Sequence, residues 1–459
     1  MANTETRMES MVQADEINHV FVEFPDLNGL SRSKQFDADY FLESWEDGFT
    51  MNLALLTQTP RSDVVEGSKY GDEIDYADAL VHPDPRTCRR VPWRDDAVRV
   101  ISDFEFRGQP VPGAPRTVLK SVIEQVSATG LDAFVGSELE CFLLESVSAS
   151  GAGKRNGNGN GKTGSAPGDR TGAHYVPATS DKHENLTRAT EEVSPFYDRV
   201  YDWASAFGLD LTTIHHEFGA GQIEILFKYG DPLGQADRTF RFKELVKHAA
   251  TACEQHATFM AKPFTDRAGS GYHLHVSLFD DGENILDGAD GDLSERGRHF
   301  VGGLLEHADA LAALGTPNLN GFKRYQPGTF APYSASWGYG NRMTAIRVPG
   351  HGTTRVENRI SSADANPYLV VAATLAAGLH GLEAELEPPA PSEGDPSDSR
   401  PTLPQSPREA IASLEADEVL TEYLGADVVS EYAAQKRHEI ERFYSQTTAW
   451  ERDEYIETL

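Results

Sequence analysis

The sequence has few cysteines, no long apolar run and too few basic residues to balance its acids. Its three cysteines, Cys88, Cys141 and Cys253, are scattered without CxxC spacing, which indicates reduced, structural thiols. No stretch approaches the roughly 20 apolar residues of a membrane span. The first residues show no basic segment followed by an apolar core, so we expect no signal peptide. These absences predict a cytoplasmic protein without a membrane partner.

The shortage of basic residues is large. The 459 residues include 72 Asp and Glu against 41 Lys and Arg, a formal net charge of −31. Such a charge argues against nucleic acid and anionic membranes as partners. It fits a protein of a halophilic cytoplasm, where concentrated salt screens self-repulsion. The alternative, an acidic interaction protein, is less favoured because the acids are spread along the chain and mixed with apolar periodicity.

The length exceeds one typical hydrophobic core, so two or more domains are expected. We predict a small, mostly β domain at 15–108, which contains a hairpin around Pro25–Gly29, and a larger domain at 109–459. Residues 148–185, rich in Gly, Asn and Ser, are expected to form a disordered insertion in the larger domain. Apolar periodicity and capping signals predict helices at 117–130, 194–207 with Ser194 as N-cap, 234–260, 295–314 and 367–382.

The clearest chemical signal is the segment SGYHLHVSL at 270–278. On a β-strand His273 and His275 share one face, and Val276 and Leu278 carry the apolar alternation. Two imidazoles on a buried face are costly unless they are bound by something. A ligand-binding pair and a simple hydrogen-bonded pair both remain open from this segment alone.

Three further segments place acids on short apolar stretches. Glu138 and Glu140 lie in SELECFLL, Glu217 and Glu224 flank a Gly-rich bend in HHEFGAGQIEI, and Glu357 lies in RVENRI. Converging carboxylates repel one another unless cations neutralise them. Carboxylates with histidines and no cysteine favour hard divalent ions such as Mg²⁺ or Mn²⁺. Four unrelated strands with salt bridges are the structural alternative.

A cationic segment follows at 318–359. It holds Lys323, Arg324, Arg342, Arg347, Arg355 and Arg359. Guanidinium groups bind phosphate and carboxylate bidentately, although arginines that pair surface acids would give the same composition. Acids holding two or more metals opposite arginines indicate transfer of a phosphoryl group from a nucleotide to an anionic acceptor. A two-metal phosphohydrolase would use similar acids, so the residues alone leave the reaction open.

The motifs FPDLNGLSRSK, SELECFLL, HHEFGAGQIEI, GSGYHLHVS, FKRYQPG, NRMTAIRVP, RVENRI and ADANPYLV resemble, in order, those of the glutamine synthetase superfamily. The resemblance implies an α+β fold, with a β-grasp-like N-terminal domain and a large catalytic domain built around a funnel of antiparallel strands. It also implies a homododecamer of two rings, in which a neighbour's N-terminal domain completes each active site.

The resemblance assigns roles to individual residues. Glu140, Glu217 and Glu224 match the ligands of one metal, and Glu138, His273 and Glu357 match those of the other. The positions that match ATP contacts are His275, Ser277, Arg342, Arg347 and Arg355. Arg324 and Arg359 match the residues that hold glutamate or the transferred phosphoryl group. The implied substrates are ATP, glutamate and an amine, which attacks a γ-glutamyl phosphate.

The sequence departs from glutamine synthetases at the acceptor side. Where those enzymes carry PGYEAP, this chain reads PGTFAP, so Phe330 replaces the acid that takes a proton from ammonium. The usual Asn of the NGSG turn is Ala268, and the DGSS loop with its ammonium-binding Asp is not recognisable at 51–68. SASWGYGNR and ADANPY are most similar to the glutamate–putrescine ligase branch. We therefore expect a glutamate–amine ligase that uses a polyamine or another alkylamine. Ordinary glutamine synthetase and a catalytically weak regulatory homologue are the alternatives.

Overall fold

The structure is a computed structural model that describes residues 2–147, 174–179 and 184–459. The first of its two sheets is built from residues 19–110 in the order β2-β1-β6-β4-β3, with β5 and β7 paired to β6. Its strands are β1 His19–Pro25, β2 Ser31–Asp37, β3 Phe49–Asn52, β4 Asp78–Pro83, β5 Arg89–Arg90, β6 Ala97–Phe106 and β7 Gln109–Pro110. Two helices cover it, α1 Ala2–Val12 and α2 Ala38–Ser44. The predicted hairpin is confirmed, since β1 pairs antiparallel with β2.

The second sheet has the order β10-β11-β8-β13-β17-β16-β15, and β9, β12 and β14 attach to its flanks. Its strands are β8 Asp132–Val147, β9 His174–Pro177, β10 Leu211–His216, β11 Gln222–Phe227, β12 His256–Thr258, β13 Tyr272–Asp280, β14 Glu283–Asn284, β15 Trp337–Tyr339, β16 Ile346–Val348 and β17 Val356–Asn358. Among these pairings, only β15 with β16 is parallel. The antiparallel character confirms the predicted α+β fold class.

Helices pack against this sheet and against one another. They are α3 Pro115–Ala128, α4 Thr187–Glu192, α5 Ser194–Phe207, α6 Pro232–Ala252, α7 Glu295–Glu306, α8 Ala308–Gly315, α9 Pro367–Glu383, α10 Pro407–Ala416, α11 Glu418–Leu424, α12 Ala426–Tyr444 and α13 Ala449–Tyr455. Helix α9 is almost entirely buried, and a side chain at Gly378 would collide with the Phe300 ring of α7. Asn358 donates a hydrogen bond to Thr374 Oγ1 at 3.0 Å, which attaches α9 to β17. No helix in the described ranges is both long enough and apolar enough to cross a membrane.

Several predicted boundaries were wrong. Helix α6 ends at Ala252 rather than at 260, because Gln255 turns back to the Ala250 carbonyl and β12 follows. The helix predicted at 295–314 is broken at His307, whose ring bridges Asp417 and His380. Val193, not Ser194, is the N-cap of α5.

The predicted insertion and domain division remain predictions. Residues 148–173 and 180–183 of the insertion lie outside the described residues. The described part of that range differs from the expectation, since β9 pairs with β8. The two halves of the chain are joined by Arg116 at the start of α3, which pairs with Asp84, Asp103 and Asp237.

Candidate active site

The second sheet carries a row of charged side chains across its strands. His273 lies opposite Glu138 in the β13–β8 register, and His275 lies opposite Glu357 on β17. On the other side of β8, Glu140 lies opposite Glu224 of β11. Because residues directly opposite each other in antiparallel strands share a face, these side chains converge on one surface of the sheet.

Glu138, His275 and Glu357 form one group whose ligand atoms lie within 4.8 Å of one another. His275 Nε2 is 2.8 Å from Glu138 Oε1, and His273 Nδ1 is 3.3 Å from Glu138 Oε2. Burial alone would raise the pKa of Glu138, but the contacts with His273 and His275 hold it well below its usual value. This carboxylate is therefore ionised, as a metal ligand must be.

His215, Glu217 and Glu224 form a second such group at the β10–β11 end of the row. His215 Nε2 lies 3.8 Å from Glu217 Oε1 and 3.7 Å from Glu224 Oε1. Burial and the charges of Glu138, Glu140 and Glu217 raise the pKa of Glu224 to about 10. A crowd of carboxylates that forces one member to hold its proton is the electrostatic signature of a cation site. His215 is not among the metal ligands predicted from the sequence.

The predicted ligand sets correspond only in part to these groups. Glu217 and Glu224 lie together as predicted, but the third member of their group is His215. Glu140, predicted to be the third ligand, accepts hydrogen bonds at Oε2 from Gln222 Nε2 at 2.9 Å and from the backbone N–H of Gly271 at 2.8 Å. His273 joins Glu138 and Glu224 in a third group. His275, assigned to ATP by resemblance, lies among the candidate metal ligands.

The residues fit divalent cations. The donors are carboxylate oxygens and imidazole nitrogens, the set that suits Mg²⁺ and Mn²⁺. In addition, His275 Nδ1 is buried and has no hydrogen-bond partner within the described residues. Buried polar atoms are rarely left unpaired, so an unpaired ring nitrogen beside clustered carboxylates marks a place for a further ligand.

Two of the predicted arginines converge on Glu357. Arg347 Nη1 is 2.7 Å from Glu357 Oε2, and Arg359 Nη1 is 2.5 Å from Oε1. Burial would raise the pKa of Glu357, yet Arg359, His275 and His273 lower it to about 2. The buried guanidiniums thus place strong positive charge beside the candidate metal ligands.

Arg324 is buried nearby, and its Nε lacks a hydrogen-bond partner among the described residues. The Gly269–Gly271 turn permits this approach, because a Cβ on Gly269 would lie 2.5 Å from Arg324 Cγ. Burial lowers the pKa of Arg324. A buried cation of this kind suits an anionic substrate group.

The remaining predicted nucleotide contacts lie around the loop before β17. Ser277 Oγ donates to the Thr354 carbonyl at 3.1 Å, and Arg355 Nη1 donates to the carbonyls of His351 and Thr353. Arg342 is exposed and makes no ion pair or hydrogen bond within the ranges that the structure describes. The structure does not bring Arg342 into the charged row.

Phe330 lies beside the charged row and is 59% exposed. Its ring meets the ring of Phe218 edge-on, with centroids 6.3 Å apart, and its carbonyl accepts a hydrogen bond from Arg359 Nη2 at 3.4 Å. Phe218 follows Glu217 and donates its backbone N–H to that carboxylate at 2.6 Å. The two exposed rings therefore lie next to both the arginine side and the His215 side of the row. Phe218 is not among the site residues predicted from the sequence.

Comparison with known proteins gives consistent matches along the chain. The family model "Glutamine synthetase, catalytic domain" matches residues 112–455. Glutamine synthetase of Pyrococcus abyssi is 35% identical over 457 residues, covering 94% of this chain and 95% of that protein. Gamma-glutamylethanolamide synthetase GlnA4 of Streptomyces coelicolor is 33% identical over 450 residues, with 97% and 94% covered. A solved GmaS/ADP complex is 30% identical, with a TM-score of 0.82 and coverage of 98% of this chain and 99% of that one.

Proposed function

The chain belongs to the glutamine synthetase family, and from this premise we propose that it joins the γ-carboxyl of glutamate to an alkylamine or polyamine. An ATP-dependent ligase is what the family model and the relatives support. The choice of a larger amine rests on this chain's own residues. One relative is named for an ethanolamide product, and the amine part of that product is the kind of acceptor that the proposal envisages.

The observation that carries the proposal is the exposed pair of Phe330 and Phe218 beside the charged row. Ammonium and alkylammonium alike must lose a proton before the nitrogen can attack, and a carboxylate at this place would both attract a small cation such as ammonium and take the proton. A phenyl ring can do neither. Two rings can instead contact the hydrocarbon part of an amine, and their faces attract a distal ammonium group.

The charged row supports the two chemical steps. An oxygen of the glutamate γ-carboxylate attacks the γ-phosphorus of ATP and ADP leaves. The uncharged amine then attacks the acyl carbon of the γ-glutamyl phosphate, phosphate leaves, and the proton that the nitrogen loses passes to the phosphate or to water. Arg324, Arg347 and Arg359 are buried cations suited to holding the substrate carboxylates and the transferred phosphoryl group. Bound divalent cations would neutralise charge on the phosphate oxygens. Glu138, Glu217, Glu224, Glu357 and the three histidines of the row would hold them.

Glutamine synthesis from ammonia is the second candidate. It is favoured by the relatives named glutamine synthetase, such as the Pyrococcus abyssi protein. In that case the group that takes the proton from ammonium would be an acid at another position, because Phe330 occupies the predicted position of the flap acid.

The deciding experiment measures ATP-dependent phosphate release with glutamate and ammonia, putrescine, spermidine, ethanolamine or simple alkylamines, and identifies each product by mass. We expect kcat/KM to be higher for at least one larger amine than for ammonia. Ammonia turnover that matches or exceeds every larger amine would refute the proposal and favour glutamine synthesis. Uniformly slow turnover would favour a regulatory homologue.

We propose a homododecamer whose sites are completed by a neighbouring N-terminal domain, working with Mg²⁺ or Mn²⁺ in a salt-rich cytoplasm. Light scattering in molar KCl measures the assembly. A monomer that is fully active would contradict sites shared between subunits.

A further inference from the structure

A cleft of about 230 Å³ lies between the two domains, away from the charged row. One wall is formed by Asp84–Arg89 of the first domain and the other by the N-terminal half of α6, with Phe207–Leu209 at the end of α5. Five arginines and three aspartates line the cleft. None of the lining residues belongs to the candidate active site.

The aspartates of the cleft are already engaged. Asp84 is held by Arg86 and Arg116, each at 2.8 Å, and Asp237 pairs with Arg116 at 2.9 Å. Asp231 is the N-cap of α6 and accepts a hydrogen bond from the Gly234 N–H. These contacts neutralise Arg86 and Arg116, but the aspartates of the cleft do not pair with its other three arginines.

Arg89 and Arg238 have no ion pair anywhere in the described chain. Arg89 donates to the backbone carbonyls of Arg86 and Cys88, and Arg238 donates to the Gln235 side chain. Burial, together with Arg241, Arg7 and Arg238, lowers the pKa of Arg89. The cations on the two walls therefore repel one another across the cleft.

Arg241 adds a buried cation to this set. It is 4% exposed, and its guanidinium lies over the Phe207 ring at 5.2 Å. Its Nε donates to Glu23 at 2.7 Å, but Glu23 is shared with Arg99, and Nη2 of Arg241 has no partner among the described residues. A buried guanidinium with an unpaired donor is costly unless a further acceptor is supplied.

We propose that this cleft binds a small oxyanion, a carboxylate or a phosphate, which bridges Arg89 of the first domain to Arg238 and Arg241 of α6. Guanidinium forks match the paired oxygens of both groups. The volume suits an anion of phosphate or short dicarboxylate size. In a chain of net charge −31, a cleft in which Arg89 and Arg238 have no acid partner among the described residues and Arg241 shares Glu23 with Arg99 is a strong local exception.

The bound anion would act on the active-site sheet through α6. Thr239, two residues before Arg241, donates its hydroxyl to Ser137 Oγ at 3.1 Å, and Ser137 precedes Glu138 on β8. Fixing the first turns of α6 therefore also fixes the strand that carries the carboxylates.

The test is calorimetric titration of the full-length protein with inorganic phosphate and, separately, with succinate, at constant ionic strength set with KCl. Saturable binding of either probe is expected, and the tighter one identifies the headgroup. Arg238→Gln keeps a donor for Gln235 but removes the charge, and it should weaken that binding by about tenfold. Arg89→Gln should act in the same direction.

Arg452→Gln is the matched control, because Arg452 is an exposed arginine on α13, outside both the cleft and the predicted active site. It should leave the oxyanion affinity of the cleft unchanged. Equal affinity in wild type and Arg238→Gln would place the binding at the active site and overturn the proposal. Absence of binding by both probes would overturn it as well.

Discussion

Replacement of Phe330 tests the acceptor choice most directly. Phe330 is 59% exposed and its ring meets the ring of Phe218 edge-on, with centroids 6.3 Å apart, so the fold depends little on it. Substitution should change the free energy of unfolding by no more than about 0.5 kcal/mol, as for most surface positions. Changes in activity can therefore be attributed to the acceptor site.

Two substitutions separate the properties of the ring. Phe330→Leu keeps an apolar surface for the amine's hydrocarbon stem but removes the π face. An ammonium over an aromatic ring gains about 0.5–2 kcal/mol, so kcat/KM for a diamine should fall by roughly 2- to 30-fold. Phe330→Glu should lower the diamine reaction further and raise the ammonia reaction by at least about tenfold, because it supplies a base and attracts ammonium.

The assay measures phosphate release with ammonia and with the best amine from the panel, for wild type, both variants and Phe443→Leu as control. Phe443 is an exposed phenylalanine on α12 and should behave as wild type. The quantity compared is the ratio of kcat/KM for the amine to that for ammonia. A ratio that is the same in wild type, Phe330→Leu and Phe330→Glu would refute an acceptor role for this ring.

Three further predictions concern stability. Glu357→Gln should lower the free energy of unfolding by about 3 kcal/mol, because two buried guanidiniums lose their charged partner. Glu224→Gln should keep or raise it, since burial and neighbouring carboxylates already raise the pKa of Glu224 to about 10. Urea unfolding in the presence of a chelator measures both, and equal losses in the two variants would contradict the reasoning. The thermal unfolding midpoint and the assembled fraction should rise from dilute buffer to molar KCl, where the Debye length is about 3 Å, because salt screens the repulsion within a chain of net charge −31. A midpoint that does not change with salt would count against this. Burial lowers the pKa of Lys243 to about 7, below its unfolded value of 10.5. Between these pH values the unfolded state binds more protons than the folded state, so the free energy of unfolding should increase with pH, by up to about 1.4 kcal/mol per pH unit. Lys243→Met should flatten this pH dependence, and parallel pH profiles of wild type and variant would disprove it.

Much of the fold and family could be predicted because their signals are local. Strand alternation alone places His273 and His275 on one face, and the same holds for Glu138 and Glu140. The predicted fold class and family are confirmed. The roles assigned to individual site residues stay predictions, although the strand registers do bring Glu138, His275 and Glu357 together.

The residues that were missed depend on information that a single sequence does not contain. In the pair His215-His216, adjacent side chains point to opposite faces, and only the pairing of β10 with β11 decides which one joins the charged row. His215 lies opposite Glu224, while His216 is buried against Thr179. Phe218 could not be recognised either, because its significance arises from contact with Phe330, more than a hundred residues away.

The attachment of the first sheet to the rest of the described chain has the same long-range character. Apolar contacts contribute to it, since Leu27 and Ile101 belong to the same buried apolar cluster as the strands of the second sheet, and polar contacts add to them. One face of α12 supplies several: Glu431 accepts from Ser68 at 2.6 Å, Gln435 donates to the Thr57 carbonyl at 2.9 Å, and Lys436 donates to Asn28 at 2.9 Å. A buried polar contact adds little to the net stability of the fold, but removing only one of its partners is costly because the other is left buried and unpaired. These contacts attach the segment at 51–68, in which the DGSS motif is not recognisable, to α12.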